Sequence, residues 1–281
     1  MKLRKPTIMD VTYYPGCSLE SSAKDYAESI KAVCAALDIR LHELEDWTCC
    51  GATSAHSTDE GLALSLPLLN LKKAERLGKD MVVPCPLCFN RLKRAQGGES
   101  KGIGVHDMAS FMGQKEWLEK IRSSLKTPLN SLNAVCYYGC MANRPPKVTN
   151  SVNYENPCSM DDIARALGVN VKPWSYKTDC CGASFSVSRP DIVFTLVKKL
   201  YDMSLEAGAE CIIVSCQMCQ ANLDIYQEEI SRRFGKEYYI PVFYFTELIG
   251  LGLGLKESST WLNRHIVNPL PLLKGKGILP C

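Results

Sequence analysis

Ten of the fifteen cysteines in this 281-residue chain fall into one pattern that occurs twice. Each copy has a lone cysteine, then an adjacent pair, then a C-x-x-C motif. The lone cysteine and the pair are separated by 31 residues in the first copy and 39 in the second, and 34 residues separate the pair from C-x-x-C in both. The first copy comprises Cys17, Cys49, Cys50, Cys85 and Cys88, and the second comprises Cys140, Cys180, Cys181, Cys216 and Cys219. Thiolates at C-x-x-C spacing bind zinc or iron–sulfur clusters, so the repeat predicts two metal sites.

The number of thiols favours a cluster over a single ion. A structural zinc ion takes four ligands in a tetrahedron, whereas each copy offers five cysteines. Neighbouring side chains on an extended backbone point in opposite directions, so Cys49 and Cys50 are poorly placed to hold one small ion together. They could instead reach different irons of a larger cluster. Zinc, and thiol redox chemistry without a metal, remain as alternatives.

The composition is that of a soluble globular protein without a secretory signal. Hydrophobic residues make up 46% of the chain and charged residues 22%, and the net charge is only +3. This small charge gives no electrostatic case for nucleic acid as a partner. The most apolar stretches, residues 62–71 and 248–255, are too short to span a bilayer. We therefore expect a cytoplasmic protein with no transmembrane segment of its own, in which clustered cysteines bind metal rather than form disulfides.

Each cysteine group follows a predicted strand. Hydrophobic periodicity and turn residues predict strands at residues 11–14, 39–44, 81–83, 134–138, 169–173 and 211–214, and helices at residues 20–37, 60–77, 108–121, 160–167 and 191–207. His106 is expected to cap the helix at 108–121. Alternating strands and helices predict parallel sheets, whose loops beyond the carboxyl ends of the strands form the ligand site. Five thiols that are distant in sequence are therefore expected to converge on one edge of each sheet.

Breaks between the elements divide the chain into three parts. A Pro- and Asn-containing linker at residues 123–133 predicts one domain over residues 1–126 and a second over residues 127–255. Residues 256–281 form a predicted C-terminal extension, with Gly- and Pro-rich turns expected from about residue 250. The eight additional residues of the second copy fall near residues 143–157.

The doubled motif resembles the CCG domain in the B subunit of heterodisulfide reductase over about residues 10–255. The resemblance rests on Tyr14-Pro15-Gly16-Cys17, Thr48-Cys49-Cys50-Gly51-Ala52, Pro84-Cys85-Pro86-Leu87-Cys88, Tyr138-Gly139-Cys140, Asp179-Cys180-Cys181-Gly182-Ala183 and Ser215-Cys216-Gln217-Met218-Cys219. The chain has no C-x2-C-x2-C-x3-C-P run, so it is similar to the stand-alone B subunit. The resemblance implies an α/β fold of two tandem, pseudo-symmetric, Rossmann-like CCG domains with small parallel sheets flanked by helices.

The resemblance also implies a function. In the family, each CCG motif binds a noncubane [4Fe-4S] cluster through its five cysteines, and a disulfide between the two clusters is reduced to two thiols. Electrons come from two partners, the ferredoxin-like C subunit and the flavin-containing A subunit. The ten cysteines would thus hold two [4Fe-4S] clusters in the catalytic subunit of a heterodisulfide reductase-like complex. Two alternatives are an electron-transfer subunit and a sulfur-oxidation component that works in reverse.

Residues after the first pair are more similar to those in non-methanogenic complexes, which leaves the substrate open. Among them, His56 is the candidate catalytic residue, as a proton donor to a product thiolate. Its alternative is a helix-capping or surface histidine. Three further cysteines, Cys34, Cys136 and Cys211, are expected to be buried as small hydrophobic residues. Cys158 and Cys281 are expected to be incidental.

Overall fold

The strands form two parallel sheets of the same topology. The computed structural model describes residues 8–52, 54–99 and 102–279. The first sheet contains β1 (Met9–Tyr13), β2 (Ile39–Glu43), β3 (Met81–Val83) and β4 (Val105–Asp107), in the order β2-β1-β3-β4. The second contains β5 (Asn133–Tyr137), β6 (Asn170–Val171), β7 (Cys211–Val214) and β8 (Val242–Tyr244), in the order β6-β5-β7-β8. All pairings are parallel, which confirms the predicted α/β fold class.

Helices connect the strands of the first sheet. They are α1 (Lys24–Ala36), α2 (Ser54–Thr58), α3 (Glu60–Leu77), α4 (Pro86–Glu99), α5 (Met108–Met112) and α6 (Lys115–Ser124). Asp59 fixes the start of α3 by accepting a hydrogen bond from the Leu62 N–H at 2.6 Å. The helix ends at Gly78, which has φ +60° in the left-handed region. These two signals explain why the bounds of α3 match the predicted residues 60–77.

Helices also flank the second sheet and follow it. They are α7 (Pro146–Thr149), α8 (Ser159–Ala166), α9 (Pro190–Glu206), α10 (Gln217–Ile225), α11 (Gln227–Phe234), α12 (Phe245–Gly252), α13 (Ser258–Leu262) and α14 (Leu270–Gly275), with a short 3-10 turn at Ala183–Phe185. No helix in the described part of the chain is long and apolar enough to cross a membrane.

Three sequence predictions differ from the structure. The helix expected at residues 108–121 is split into α5 and α6 at Gly113, where an added Cβ would lie 2.8 Å from Ser159 Cβ. The cap of α5 is Asp107 rather than His106, because the Asp107 carboxylate accepts the Ser110 N–H at 3.0 Å. Residues after 250 were expected to form turns, but α13 and α14 lie there. The last residue, Cys281, lies outside the described residues.

The strand order locates the ligand edge of each sheet. From β1 the chain moves outward to β2, and from β3 it moves outward on the other side to β4. The carboxyl ends of β1 and β3 are therefore the point at which the winding reverses, and ligands of parallel sheets bind at such points. Cys17 follows β1 and Cys85 follows β3. In the second sheet, Cys140 follows β5 and Cys216 follows β7 at the equivalent point.

The two sheets share one hydrophobic core. Buried residues from both belong to a single cluster, which includes Val11 of β1 and Val214 of β7. Tyr26 of α1 stacks on Tyr244, which ends β8, with ring centroids 4.2 Å apart and an interplanar angle of 4°. The division into domains at residues 126 and 255 stays a prediction.

Candidate metal centre

The first copy of the pattern forms one group of five thiols. Cys50 Sγ lies 3.3 Å from Cys88 Sγ, and the Cys88 N–H donates to Cys85 Sγ at 3.4 Å. These three cysteines, the buried trio of the group, are all buried. The other two, Cys17 and Cys49, are exposed and their thiols are hydrogen-bonded to each other. We call them the outer pair.

The second copy repeats this division. Cys181 Sγ lies 3.7 Å from Cys219 Sγ, and the side chain of Cys216 is hydrogen-bonded to Cys219. This buried trio is accompanied by an outer pair, Cys140 and Cys180, whose thiols are hydrogen-bonded and less buried. Each cysteine therefore has the same role in the contacts of both groups. None of the fourteen cysteines in the described part of the chain forms a disulfide.

Hydrogen bonding among the thiols favours the thiolate at Cys50, Cys85, Cys180 and Cys181, whose pKa values are all lowered. The bond from Cys88 lowers the pKa of Cys85 to about 7, and the bond from Cys140 lowers the pKa of Cys180 to about 6. The pKa of Cys88 is raised by its hydrogen bonds to Cys50 and Cys85, and the pKa of Cys140 is raised by its hydrogen bond to Cys180. Because the thiolate is the form that binds metal, each group already contains a cysteine suited to ligation near neutral pH.

Glycines bring the backbone close to the buried sulfurs. Gly16 has φ +74°, and an added Cβ would lie 3.0 Å from Cys88 Sγ. Gly139 has φ +65°, and its added Cβ would lie 2.8 Å from Cys219 Sγ. Both positions combine a left-handed backbone with contact to sulfur, so only glycine suits them. Five thiols beside a backbone cradle fit a sulfur-ligated cluster, and the residues present therefore suit the iron–sulfur group that the sequence predicts.

Two buried tyrosines position the adjacent cysteine pairs. The Tyr14 hydroxyl donates to the Thr48 carbonyl at 2.7 Å, and the Tyr137 hydroxyl donates to the Asp179 carbonyl at 2.7 Å. Each tyrosine stands three residues before the lone cysteine of its copy, and each carbonyl belongs to the residue before the pair. Sequence reasoning missed this role, although the matching tyrosine positions in the repeat were the signal for it.

The residue three positions after each C-x-x-C motif also contacts the pair loop. Arg91 Nε donates to the Ala52 carbonyl at 3.1 Å in the first copy. Asn222 Nδ2 donates to the Cys181 carbonyl at 3.1 Å in the second. Burial lowers the pKa of Arg91, and the neighbouring Cys50 acts in the opposite direction. The loops that carry the cysteine pairs are thus held from both sides.

A buried ion pair supports the turn that carries Cys140. Lys177 Nζ lies 2.8 Å from Asp161 Oδ1, and the two side chains are 8% and 2% exposed. The Lys177 carbonyl accepts hydrogen bonds from the N–H groups of Tyr138 and Gly139, at 2.8 and 3.1 Å. The turn before Cys140 is therefore anchored to the segment that leads into the second cysteine pair.

Two side chains cross between the copies at the thiol groups. Gln217 Nε2, from the second C-x-x-C motif, donates to Cys85 Sγ of the first group at 2.8 Å. Asn90 Nδ2, from α4, donates to the carbonyls of Met141 and Arg144 at 3.0 and 2.8 Å. The carboxyl edges of the two sheets therefore meet, and the two thiol groups lie on either side of this contact.

A groove opens beside the second group. It has a volume of about 400 Å³ and is lined by Cys140, Met141, Arg144, Pro145, Pro146 and Tyr154. A larger groove of about 540 Å³, lined in part by Lys31 and Glu43, lies beside β2 on the first sheet. Of these two grooves, only the one at Cys140 is lined by a cysteine of the doubled pattern.

The remaining predicted residues have separate locations. His56 is exposed on α2, the helix that follows the first cysteine pair, and its role as a proton donor stays a prediction. Cys34, Cys136 and Cys211 are buried, as predicted for small hydrophobic residues. Cys158 is partly exposed in the segment that leads to α8.

Comparison with known proteins decides the family. Residues 11–93 and residues 134–224 both match the family model CCG, a cysteine-rich domain. The chain belongs to this family. The two matched ranges contain the two copies of the cysteine pattern, which confirms the repeat predicted from the sequence.

Relatives match over most of the chain. The 8-methylmenaquinol:fumarate reductase membrane anchor subunit of Wolinella succinogenes is 29% identical over 280 residues, covering 94% of this chain and 99% of the relative. The B subunit of the ferredoxin/F(420)H(2)-dependent CoB-CoM heterodisulfide reductase of Methanosarcina acetivorans is 25% identical over 287 residues, covering 94% of this chain and 95% of the relative. The B subunit of a ferredoxin:CoB-CoM heterodisulfide reductase of Methanosarcina mazei matches to the same extent. The predicted resemblance to the B subunit is confirmed.

A solved structure shares the fold. A hypothetical protein from Helicobacter pylori superimposes with a TM-score of 0.63 at 10% sequence identity. The match covers 95% of this chain and 55% of that longer chain. At this identity the likeness concerns the fold alone.

Proposed function

We propose that this protein is an iron–sulfur subunit of a heterodisulfide reductase-like complex, and that it reduces a disulfide between its two thiol groups. The observation that supports this most strongly is the pair of matched five-thiol groups on facing sheet edges, joined by the hydrogen bond from Gln217 to Cys85. Relatives named as the B subunit of heterodisulfide reductases, which match along 94% of the chain, support the same function.

The residues of the chain would have distinct roles in this reaction. Each set of five cysteines would hold one [4Fe-4S] cluster of the noncubane type, which when bound supplies electrons one at a time. Tyr14 and Tyr137 fix the loops that carry the cysteine pairs. Reduction of R–S–S–R′ consumes two electrons and two protons and yields two thiols. We propose that His56 supplies one of these protons. The electrons would come from a ferredoxin-like subunit and a flavin-containing subunit of a complex located in the cytoplasm.

Metal content and a substrate response test the proposal. We expect protein purified without oxygen to contain about eight irons per chain, and we expect candidate disulfides to perturb the EPR signal of the reduced protein. Cys180→Ser should lose about half of the iron together with this response. Cys34→Ala is the matched control: Cys34 is buried in α1 and lies outside the doubled pattern, so this variant should retain both the iron and the response. Zinc in place of iron, or an EPR signal that no disulfide changes, would contradict the proposed function.

A second function is electron transfer without disulfide chemistry. It is favoured by the relative at 29% identity, which is named as the membrane anchor subunit of a fumarate reductase and whose name mentions no disulfide. The two functions predict different reactions for the isolated protein. A disulfide reductase should form thiols from a disulfide and reduced viologen on its own, whereas an electron-transfer protein should only be oxidised and reduced. Thiol formation by the isolated chain would eliminate the second function.

A further inference from the structure

Gln217 links the two thiol groups at a buried position. It is the first residue of α10, directly after Cys216, and is 4% exposed. Although it belongs to the second C-x-x-C motif, its Nε2 donates to Cys85 Sγ of the first at 2.8 Å. A side chain of one site thus acts on a sulfur of the other.

In the described part of the first copy, no side chain makes the corresponding hydrogen bond to a sulfur of the second group. The residue that corresponds to Gln217 in the first C-x-x-C motif is Pro86, which has no side-chain donor. The sulfur contacts in the buried trios and the tyrosines before the lone cysteines match between the two groups. The second group has an amide donor of its own, because Asn222 Nδ2 lies 3.6 Å from Cys181 Sγ. The contact of Gln217 is shorter and is the one that crosses from one site to the other.

Gln217 is poorly explained as a purely structural residue. Its Oε1 is buried and has no hydrogen-bond partner among the described residues. A buried acceptor without a partner destabilises the fold, and side chains that serve only packing usually avoid it. The amide makes its one side-chain hydrogen bond with a candidate cluster ligand. This points to a role at the metal site.

We propose that Gln217 is a positioning residue of the second copy that raises the reduction potential of the cluster held by Cys85 in the first. The physical reason is charge. Reduction adds negative charge to a cluster and its thiolates, and an N–H donated to a ligand sulfur stabilises the more negative state. The inference rests on the proposed function, since it requires a cluster at each group.

Two substitutions remove the donor in different ways. Gln217→Met keeps an unbranched side chain of similar length. Gln217→Pro installs the residue of the first copy, and the site suits it, because proline is accepted at the first position of a helix. The preceding Cys216 has φ −114° and ψ 121°, which also suits a following proline. The matched control is Met218→Leu, which installs the other residue of the first motif at a partly exposed position beside Gln217.

An EPR-monitored redox titration measures the effect. In both Gln217 variants, we expect the equilibrium constant for reduction of the first cluster to be about tenfold less favourable. For a one-electron couple this shifts the reduction potential by about −59 mV. The second potential, the iron content and the thermal unfolding curve should stay as in the unsubstituted protein, and Met218→Leu should change none of them. The shift should persist in a Cys180→Ser background, which retains the first group, and disappear in a Cys49→Ser background.

The outcomes separate this inference from the proposed function. Unchanged potentials at full iron content would overturn it. Loss of iron from the first site in both Gln217 variants would also overturn it, because the residue would then act in assembly. If no disulfide changes the EPR signal of the clusters, but the Gln217 variants still shift the reduction potential of the first cluster, the disulfide-reductase function is contradicted and this inference is supported. An unsubstituted protein without iron would refute both before any variant is made.

Discussion

The buried ion pair between His265 and Glu247 should make the stability of the protein fall at alkaline pH. His265 Nε2 lies 2.9 Å from Glu247 Oε1, and both side chains are 0% exposed. Burial by itself lowers the pKa of His265. The charge of Glu247 and its hydrogen bond outweigh burial, with further contributions from Asp224 and Asp25, and the pKa rises to about 9. His265 is therefore an imidazolium at neutral pH.

The loss of stability can be calculated from the pKa of His265 in the folded and the unfolded chain. An unfolded histidine has a pKa of about 6.5. A folded-state pKa of about 9 therefore adds about 3 kcal/mol to the free energy of unfolding. Because the folded pKa is raised, this contribution is fully present below about pH 6.5 and is lost as the pH rises to about 9.

Urea unfolding at pH 6, 7.5 and 9.5, with matched iron content, measures this loss. Between pH 6 and pH 9.5 the protein should lose about 3 kcal/mol more than a His265→Gln variant, whose amide can still donate to Glu247 but does not titrate. His106→Gln is the control, because it removes a histidine that is about one-third exposed and leaves the buried pair intact. Parallel curves for the unsubstituted protein and His265→Gln would refute the reasoning.

Three further predictions concern the supports of the thiol groups. Gly139→Ala should lose about half of the bound iron, because its Cβ would lie 2.8 Å from a ligand sulfur. Gly78→Ala, with a similar positive φ and nothing within 4 Å of an added Cβ, should retain all of it. Lys177→Met should lower the free energy of urea unfolding by about 1.5–3 kcal/mol, since the buried Asp161 carboxylate would lose its 2.8 Å charged partner and keep only the Tyr138 hydroxyl at 2.7 Å and Arg165 at 3.8 Å. Lys115→Met, at a position whose side chain is 90% exposed, should change it by less than about 0.5 kcal/mol. Tyr137→Phe should lower it by about 1 kcal/mol through the lost 2.7 Å hydrogen bond, and an unchanged unfolding midpoint would contradict this role.

Turn residues and hydrophobic runs correctly predicted the limits of several strands and helices. The run Met81–Val83 is a buried strand with the predicted limits, and Cys211–Val214 is another. The need for glycine at the split, residue 113, was not predictable, because it comes from the close approach of Ser159, far away in the sequence. The helices after residue 255 were missed for a similar reason. Their sequence is rich in turn residues, and their stability depends on packing against the rest of the chain.

The grouping of the thiols was predictable from the sequence, whereas the contacts between the two groups were not. Spacing alone grouped the ten cysteines, since each group follows the strands of one sheet. The hydrogen bond from Gln217 to Cys85 depends on how the two sheets pack, which no local pattern encodes. The same limit applies to Asn90, whose partners are carbonyls more than fifty residues away.

The contacts of Asn90 make the order of the two copies matter. Its amide holds the start of the segment that contains the eight additional residues of the second copy, and the corresponding residue in the second copy is Ala221, which has no donor. A protein assembled from two first copies would lack the longer segment, and one assembled from two second copies would lack the amide. A symmetric dimer of either copy could therefore not form the hydrogen bonds between Asn90 and the longer segment. Joining two unlike copies in one chain therefore allows an asymmetry that a homodimer of a single domain could not have.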